Sequence, residues 1–290
     1  MSSPVVDAFA PANVSTLVFT DLDGTLLNHD DYSYEAALPA IKTLREQNIP
    51  LILVSSKTRA EMAQLCRELA ITDPYVCENG SLIVLPDTWV KHMGLASDGF
   101  SFSDGAWQFV QGADRQQITA LLAGLKPRFN FTGFADMTVT QVIECTGLSE
   151  EGAAQAKQRF ATEPLLWHDS GAALDEFAQQ LGVHDLRVVK GGRFYHVMAH
   201  CDKSDAVRYL LNTYESHYGA KVKSIALGDS PNDLVMLKEV DQAVVMPHKD
   251  GTYMHDDKLL GEIRAPQEGA SGWRVGVEAA LQKLRNGEEA

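Results

Sequence analysis

Residues 17–26 read Leu17-Val18-Phe19-Thr20-Asp21-Leu22-Asp23-Gly24-Thr25-Leu26, and the order of these residue types decides the fold. The first four form an apolar, β-prone run, which predicts a short buried strand. Two carboxylates follow at alternate positions, and Gly24 permits a tight turn behind them. Carboxylates just beyond a strand end lie at the carboxyl edge of a parallel sheet, where open α/β sheets bind ligands.

Outward from this stretch, strand and helix patterns alternate. A helix is predicted near 33–47, with Leu38, Ile41 and Leu44 on one face and Pro39 tolerable only in its early turns. Leu51-Ile52-Leu53-Val54 predicts a fully buried strand. Thr58 with Glu61 three residues on predicts a capped helix carrying Met62, Leu65, Cys66 and Leu69. Apolar strands alternating with amphipathic helices predict a parallel sheet covered on both faces.

The rhythm returns near the C-terminus. A helix at 204–216 precedes the strand Ile225-Ala226-Leu227, and Ala243-Val244-Val245-Met246 predicts another strand. Between them, Gly228-Asp229-Ser230-Pro231-Asn232-Asp233 repeats the strand-then-acidic-loop pattern, with Ser230-Pro231 expected to open a helix. If both strands share one sheet, Asp21, Asp23, Asp229 and Asp233 converge. Carboxylates that close repel unless a divalent cation lies among them, and an all-oxygen donor set favours magnesium over zinc or copper.

The middle of the chain differs. Segments 138–144 and 187–197 alternate like strands, the second broken by Gly191-Gly192 as in a hairpin, and helical patterns run at 150–160 and 172–181. The expected fold is an α/β, doubly wound parallel-sheet (Rossmann-like) core from 1–86 and 200–290, with an inserted α/β cap domain at 87–199. Linkers near Leu85 and Ala199 are the expected hinges for cap closure.

The 290 residues are 45% hydrophobic with a net charge of -14, which argues against nucleic acid or an anionic membrane as partner. Four scattered cysteines, Cys66, Cys77, Cys145 and Cys201, suit reduced thiols. Residues 1–13 lack a signal-peptide pattern, and no run approaches the ~18 apolar residues of a membrane helix. The expectation is a soluble cytoplasmic protein.

The Asp21-Leu22-Asp23-Gly24-Thr25 motif resembles the first motif of the haloacid dehalogenase superfamily at every position. The resemblance implies a Mg2+-dependent phosphatase in which Asp21 attacks phosphorus and forms an aspartyl-phosphate, while Asp23 serves as acid and then base. It further implies a metal held by Asp21, the Asp23 backbone carbonyl and Asp229, with Asp233 orienting a neighbouring group. Ser55 or Ser56 would bind the phosphoryl oxygens, and Lys203 or Lys190 would hold the phosphate. The long insertion resembles the large-cap subclass. Within it, Ser55 to Arg59, Glu78-Asn79-Gly80, 190–196 and 228–233 resemble the mannosyl-3-phosphoglycerate phosphatase family. Asn79 either faces the site or simply fills a left-handed turn. Gly191, Gly192 and Arg193 either bind substrate or form a plain hairpin turn, and Asn232 joins the substrate-binding candidates. The implied partner is a small phosphorylated sugar or glycerate, and a phosphomannomutase-like transferase is the alternative reading.

Overall fold

The computed structural model describes residues 14–191 and 193–287, so the reading of residues 1–13 lies outside the described residues. From the N-terminus come β1 (Thr16–Thr20), α1 (Leu38–Glu46), β2 (Leu51–Leu53), α2 (Arg59–Glu68), β3 (Tyr75–Cys77) and β4 (Leu82–Pro86). Next are α3 (Asp87–Met93), β5 (Ser101–Ser103), β6 (Ala106–Val110), α4 (Arg115–Leu125), β7 (Phe131–Gly133) and α5 (Val139–Thr146). Then α6 (Glu150–Ala156), β8 (Thr162–Trp167), α7 (Gly171–Gly182), β9 (Leu186–Lys190) and β10 (Tyr195–Ala199) complete the middle. The chain closes with α8 (Lys203–Tyr218), β11 (Lys223–Gly228), α9 (Leu234–Leu237), β12 (Gln242–Val245), β13 (Ile263–Arg264) and α10 (Gly269–Asn286). Among the described residues, no helix is long and apolar enough to cross a membrane.

The central sheet has the order β13-β12-β11-β1-β2, with every pairing parallel. Period-two alternation gives each strand two buried faces. Leu17 and Phe19 pack with Val207, Leu210 and Tyr214 of α8, whereas Val18 packs with Met62 of α2 and Trp273 of α10. This is the doubly wound arrangement expected from the apolar runs. The Thr58–Glu61 capping box on α2 is present, and Pro39 sits in the first turn of α1.

The residues 87–199 do not pack as one unit. β5 and β6 extend an antiparallel sheet of order β3-β4-β6-β5, and Trp89, Val90 and Met93 of α3 lie in the same apolar cluster as Phe19. Packing thus joins 87–110 to the central layers. Leu85 is fully buried opposite Trp107, within this sheet. The chain passes to the second lobe beside Gly112 and returns at Ala199, whose Cβ would be 2.4 Å from a Cβ at Gly112.

That second lobe is an antiparallel sheet of order β7-β8-β10-β9. One face buries Leu165 and Val197 under Ile118 and Leu122 of α4 and Phe177 and Leu181 of α7. Leu166, on the opposite face by alternation, packs with Phe134, Val142 of α5 and Ala153 of α6. The 187–197 hairpin forms as expected, with Tyr195 opposite Lys190. Residues 138–144, expected as a strand, are helical instead. Thr138 and Gln141 form a reciprocal capping box, and that local bonding with the buried Val142 overrides the strand-like alternation. The 150–160 pattern ends as a helix at Ala156.

Candidate active site

The register of the central sheet brings the two acidic loops together. Thr20 lies opposite both Leu53 and Leu227, so the carboxyl ends of β1, β2 and β11 are level. The Asp21 amide donates to the Leu227 carbonyl at 3.0 Å, which ties the first acidic loop to the strand that launches the second. Gly24 has φ +76, and a Cβ there would be 2.8 Å from the Asp229 carboxylate. A side chain at that position would therefore push the two loops apart.

Carboxylate oxygens of Asp21, Asp229 and Asp233 lie within 4.8 Å of one another, and all three residues are buried. Lys203, 1% exposed, sends its Nζ to Asp21 Oδ1 and Asp233 Oδ1, both at 2.6 Å. Burial alone would lower the lysine's pKa, but the charges of Asp21 and Asp233 outweigh it and hold the ammonium above its usual range. Burial and then Asp233 raise Asp21, with Lys203 opposing them. Asp229 is likewise raised by burial and Asp233. Three carboxylates thus face one buried ammonium, and the oxygen-only cluster is short of positive charge. Those residues fit a hard divalent cation such as magnesium.

Lys203 opens α8, and Gly80 sets its position. Gly80 has φ +100, and a Cβ on it would fall 2.1 Å from the Asp202 carbonyl oxygen, so the backbones touch where a side chain would separate them. The expected helix starting at Pro231 is displaced. Asp229 N, Ser230 N and Ser230 Oγ all donate to Asp233 Oδ2, winding 229–233 into a turn, and α9 begins only at Leu234. Asp233 therefore holds both its own loop and Lys203.

Asp23 stands beside this cluster, more exposed, with Lys57 Nζ 2.8 Å from its carboxylate. Burial alone would lower the pKa of Lys57, but the adjacent Asp23 charge raises it overall. Ser55 is buried, and its Oγ accepts from the Lys57 amide at 3.2 Å. Ser56 lines a cleft of about 540 Å³ that also meets Lys203, Asn79 and Asn232. Asn79 combines a left-handed backbone with a place on this cleft. Its φ is +58, and its Oδ1 accepts from Asn232 Nδ2 at 3.3 Å across the cleft floor.

The other wall of the cleft is the β9–β10 hairpin. Lys190 and Gly191 line it, so Lys190 lies in the second lobe, while Lys203 is the lysine inside the carboxylate cluster. Gly192 lies outside the described residues. Arg193 is not brought to the cleft; its guanidinium donates to the Cys145 carbonyl at the end of α5. The sequence reading missed Arg187, His196 and Met198 on the cleft wall and His29, whose Nε2 is 3.6 Å from Asp229 Oδ2. Strand alternation was the available signal for the first three. Burial, reinforced by the nearby Arg159 charge, pushes His196 down to about 3.

Comparison with known proteins adds to this geometry. The family model for haloacid dehalogenase-like hydrolases matches residues 18–133 and 150–252. The glucosyl-3-phosphoglycerate/mannosyl-3-phosphoglycerate phosphatase of Persephonella marina is 34% identical over 275 residues, which is 93% of this chain and 99% of that protein. A haloacid dehalogenase-like hydrolase from Bacteroides thetaiotaomicron superimposes with a TM-score of 0.61 at 16% identity, over 93% of this chain and 99% of that one. A subclass IIB sugar phosphatase gives 0.59 at 14% identity, over 93% and 98%. At these identities the two solved structures show a shared fold.

Proposed function

The chain belongs to the haloacid dehalogenase-like hydrolases, and from that premise we propose that it removes the phosphate from a glycosyl-3-phosphoglycerate, using Asp21 as nucleophile. It is an enzyme, a phosphoric monoester hydrolase. The observation that carries the reading is the buried Lys203 ammonium shared by Asp21 and Asp233, at the foot of a cleft walled by a second lobe. A nucleophilic carboxylate must approach an anionic phosphate, and Lys203 reduces the repulsion between them.

In the first step a carboxylate oxygen of Asp21 bonds to phosphorus, and the phosphorus–ester oxygen bond breaks. The departing alkoxide takes a proton from Asp23. In the second step water attacks the phosphorus of the aspartyl-phosphate and gives its proton to Asp23. The bond from phosphorus to the Asp21 oxygen breaks, and inorganic phosphate leaves with the Asp21 carboxylate restored. Ser55 or Ser56 orients the phosphoryl oxygens from the end of β2. Magnesium, when held by Asp21 and Asp229, would offset charge building on the phosphoryl oxygens. The hairpin wall limits water and excludes bulky substrates.

The test is phosphate release from glucosyl- and mannosyl-3-phosphoglycerate, with and without magnesium, against other sugar phosphates. Both chemistry and substrate predict magnesium-dependent release from the glycosyl-3-phosphoglycerates, lowered by ~10⁴-fold or more in Asp21→Asn. Undiminished release by Asp21→Asn would remove the nucleophile assignment. Release only from other sugar phosphates would remove the substrate, and an isomerised sugar phosphate would make the enzyme a transferase.

A further inference from the structure

Resting on the proposed substrate class, we infer that Arg187 recognises the carboxylate of the phosphoglycerate moiety and is thereby a specificity-determining residue. Arg187 is on β9, where Leu186 and Val188 pack against the helices of the second lobe. Alternation turns Arg187 and Val189 the other way, into the cleft that Lys203 also lines.

Two observations distinguish this guanidinium from a surface charge. One terminal nitrogen donates to the Cys201 carbonyl at 2.5 Å, which fixes the group beside the segment leading into α8. Its Nε is buried and has no hydrogen-bond partner. No carboxylate pairs with Arg187 among the described residues. A guanidinium desolvated in this way and paired with no carboxylate gains more than a solvated one from an anion that meets its accessible face.

Position fits the same ligand. Cys201 and Lys203 are two residues apart, so their Cα atoms are within ~7 Å. Arg187 and Lys203 line the same cleft, so one ligand bound there meets both a guanidinium and an ammonium. A simple sugar phosphate brings one anionic group, whereas a phosphoglycerate brings two. His196 on the same wall is neutral, so it offers no competing charge. Lys190 also lines the cleft, but it is exposed and lies over the Tyr195 ring, 5.8 Å from its centre. Arg187, partly buried, is the better placed for charge-assisted bonding in a low-dielectric wall.

The experiment compares 3-phosphoglycerate with glycerol 3-phosphate as inhibitors of p-nitrophenyl phosphate hydrolysis by the full chain. The two probes differ at one carbon, carboxylate against hydroxymethyl. Wild-type enzyme should bind 3-phosphoglycerate roughly tenfold or more tightly, the scale of charge-assisted bonds to one carboxylate. Arg187→Met should bring the ratio of inhibition constants close to one, and Arg187→Lys should fall between. Taking a ratio within each protein cancels any general loss of activity. A wild-type ratio near one overturns the inference without any variant. So does an unchanged ratio in Arg187→Met, or a collapse produced by Lys190→Met in its place. Failure to hydrolyse glycosyl-3-phosphoglycerates, with the ratio intact, would sink the proposed substrate and leave the carboxylate site standing.

Discussion

Lys203 keeps its charge in nearly complete burial because two carboxylates surround it at 2.6 Å, an arrangement in which removing any one partner strands the others. Asp73 is the opposite case, a carboxylate far from the site with a single backbone donor, Leu51 N at 3.1 Å. Burial pushes its pKa up to about 6, against lesser lowering by that hydrogen bond and by Arg45. A raised acid binds its proton more tightly in the native state, so its contribution is fully present below pH ~4 and is lost as pH rises through about 6. The charged form costs roughly 2–3 kcal/mol at pH 7. Asp73→Asn keeps an acceptor for Leu51 without the charge. Its stability should gain on wild type between pH 4 and 6 and hold a constant margin above pH 7, measured by urea unfolding at each pH. Parallel curves for the two proteins would refute the burial argument. At this scale the sequence announced Asp21 and Asp229 through their loop motifs. It could not announce Arg187, because an arginine in an alternating strand becomes special only when its wall faces a cleft.

Among the elements, the short turn at 78–80 between β3 and β4 joins the two lobes. Glu78 is fully buried with φ +52, and its carboxylate accepts from Phe160 N at 2.7 Å, Ala161 N at 3.2 Å and Thr162 Oγ1 at 2.6 Å. The next residue, Asn79, faces the cleft, and Gly80 touches the start of α8. One turn therefore fixes the second lobe, the cleft floor and the position of Lys203. Glu78→Ala leaves three donors without an acceptor and should destabilise the protein by about 3 kcal/mol. Hydrogen exchange at Phe160 and Ala161 should accelerate more than in the central sheet, and uniform acceleration would show that Glu78 supports general folding alone. The sequence marked Glu78-Asn79-Gly80 as one of the stretches that carry the family resemblance. That Glu78 reaches a segment about eighty residues away depends on how α6 packs on α2. Local capping chemistry likewise decided α5, where Thr138 and Gln141 defeated an alternating pattern.

Across the whole molecule, the carboxylate cluster should make stability depend on a bound cation. Three buried carboxylates against one ammonium favour any divalent ion that the folded state alone can assemble. Magnesium at a hundred times its dissociation constant should contribute about 2.7 kcal/mol, raising Tm by ~5 °C or more. Scanning calorimetry with magnesium or with chelator checks this, and Asp229→Asn should abolish most of the shift. An equal shift in that variant would place the ion elsewhere. The sequence by itself determined the parallel core, because apolar runs buried on both faces have few alternatives to a helix-covered sheet. It determined the acidic loops as well, because a strand end followed by a glycine turn carries its carboxylates to one edge. Tertiary structure alone decided which lysine enters the cluster, which arginine faces the cleft, and that residues 87–110 pack with the core. Those outcomes rest on contacts between segments distant in the chain, and no local pattern of residues encodes such distances.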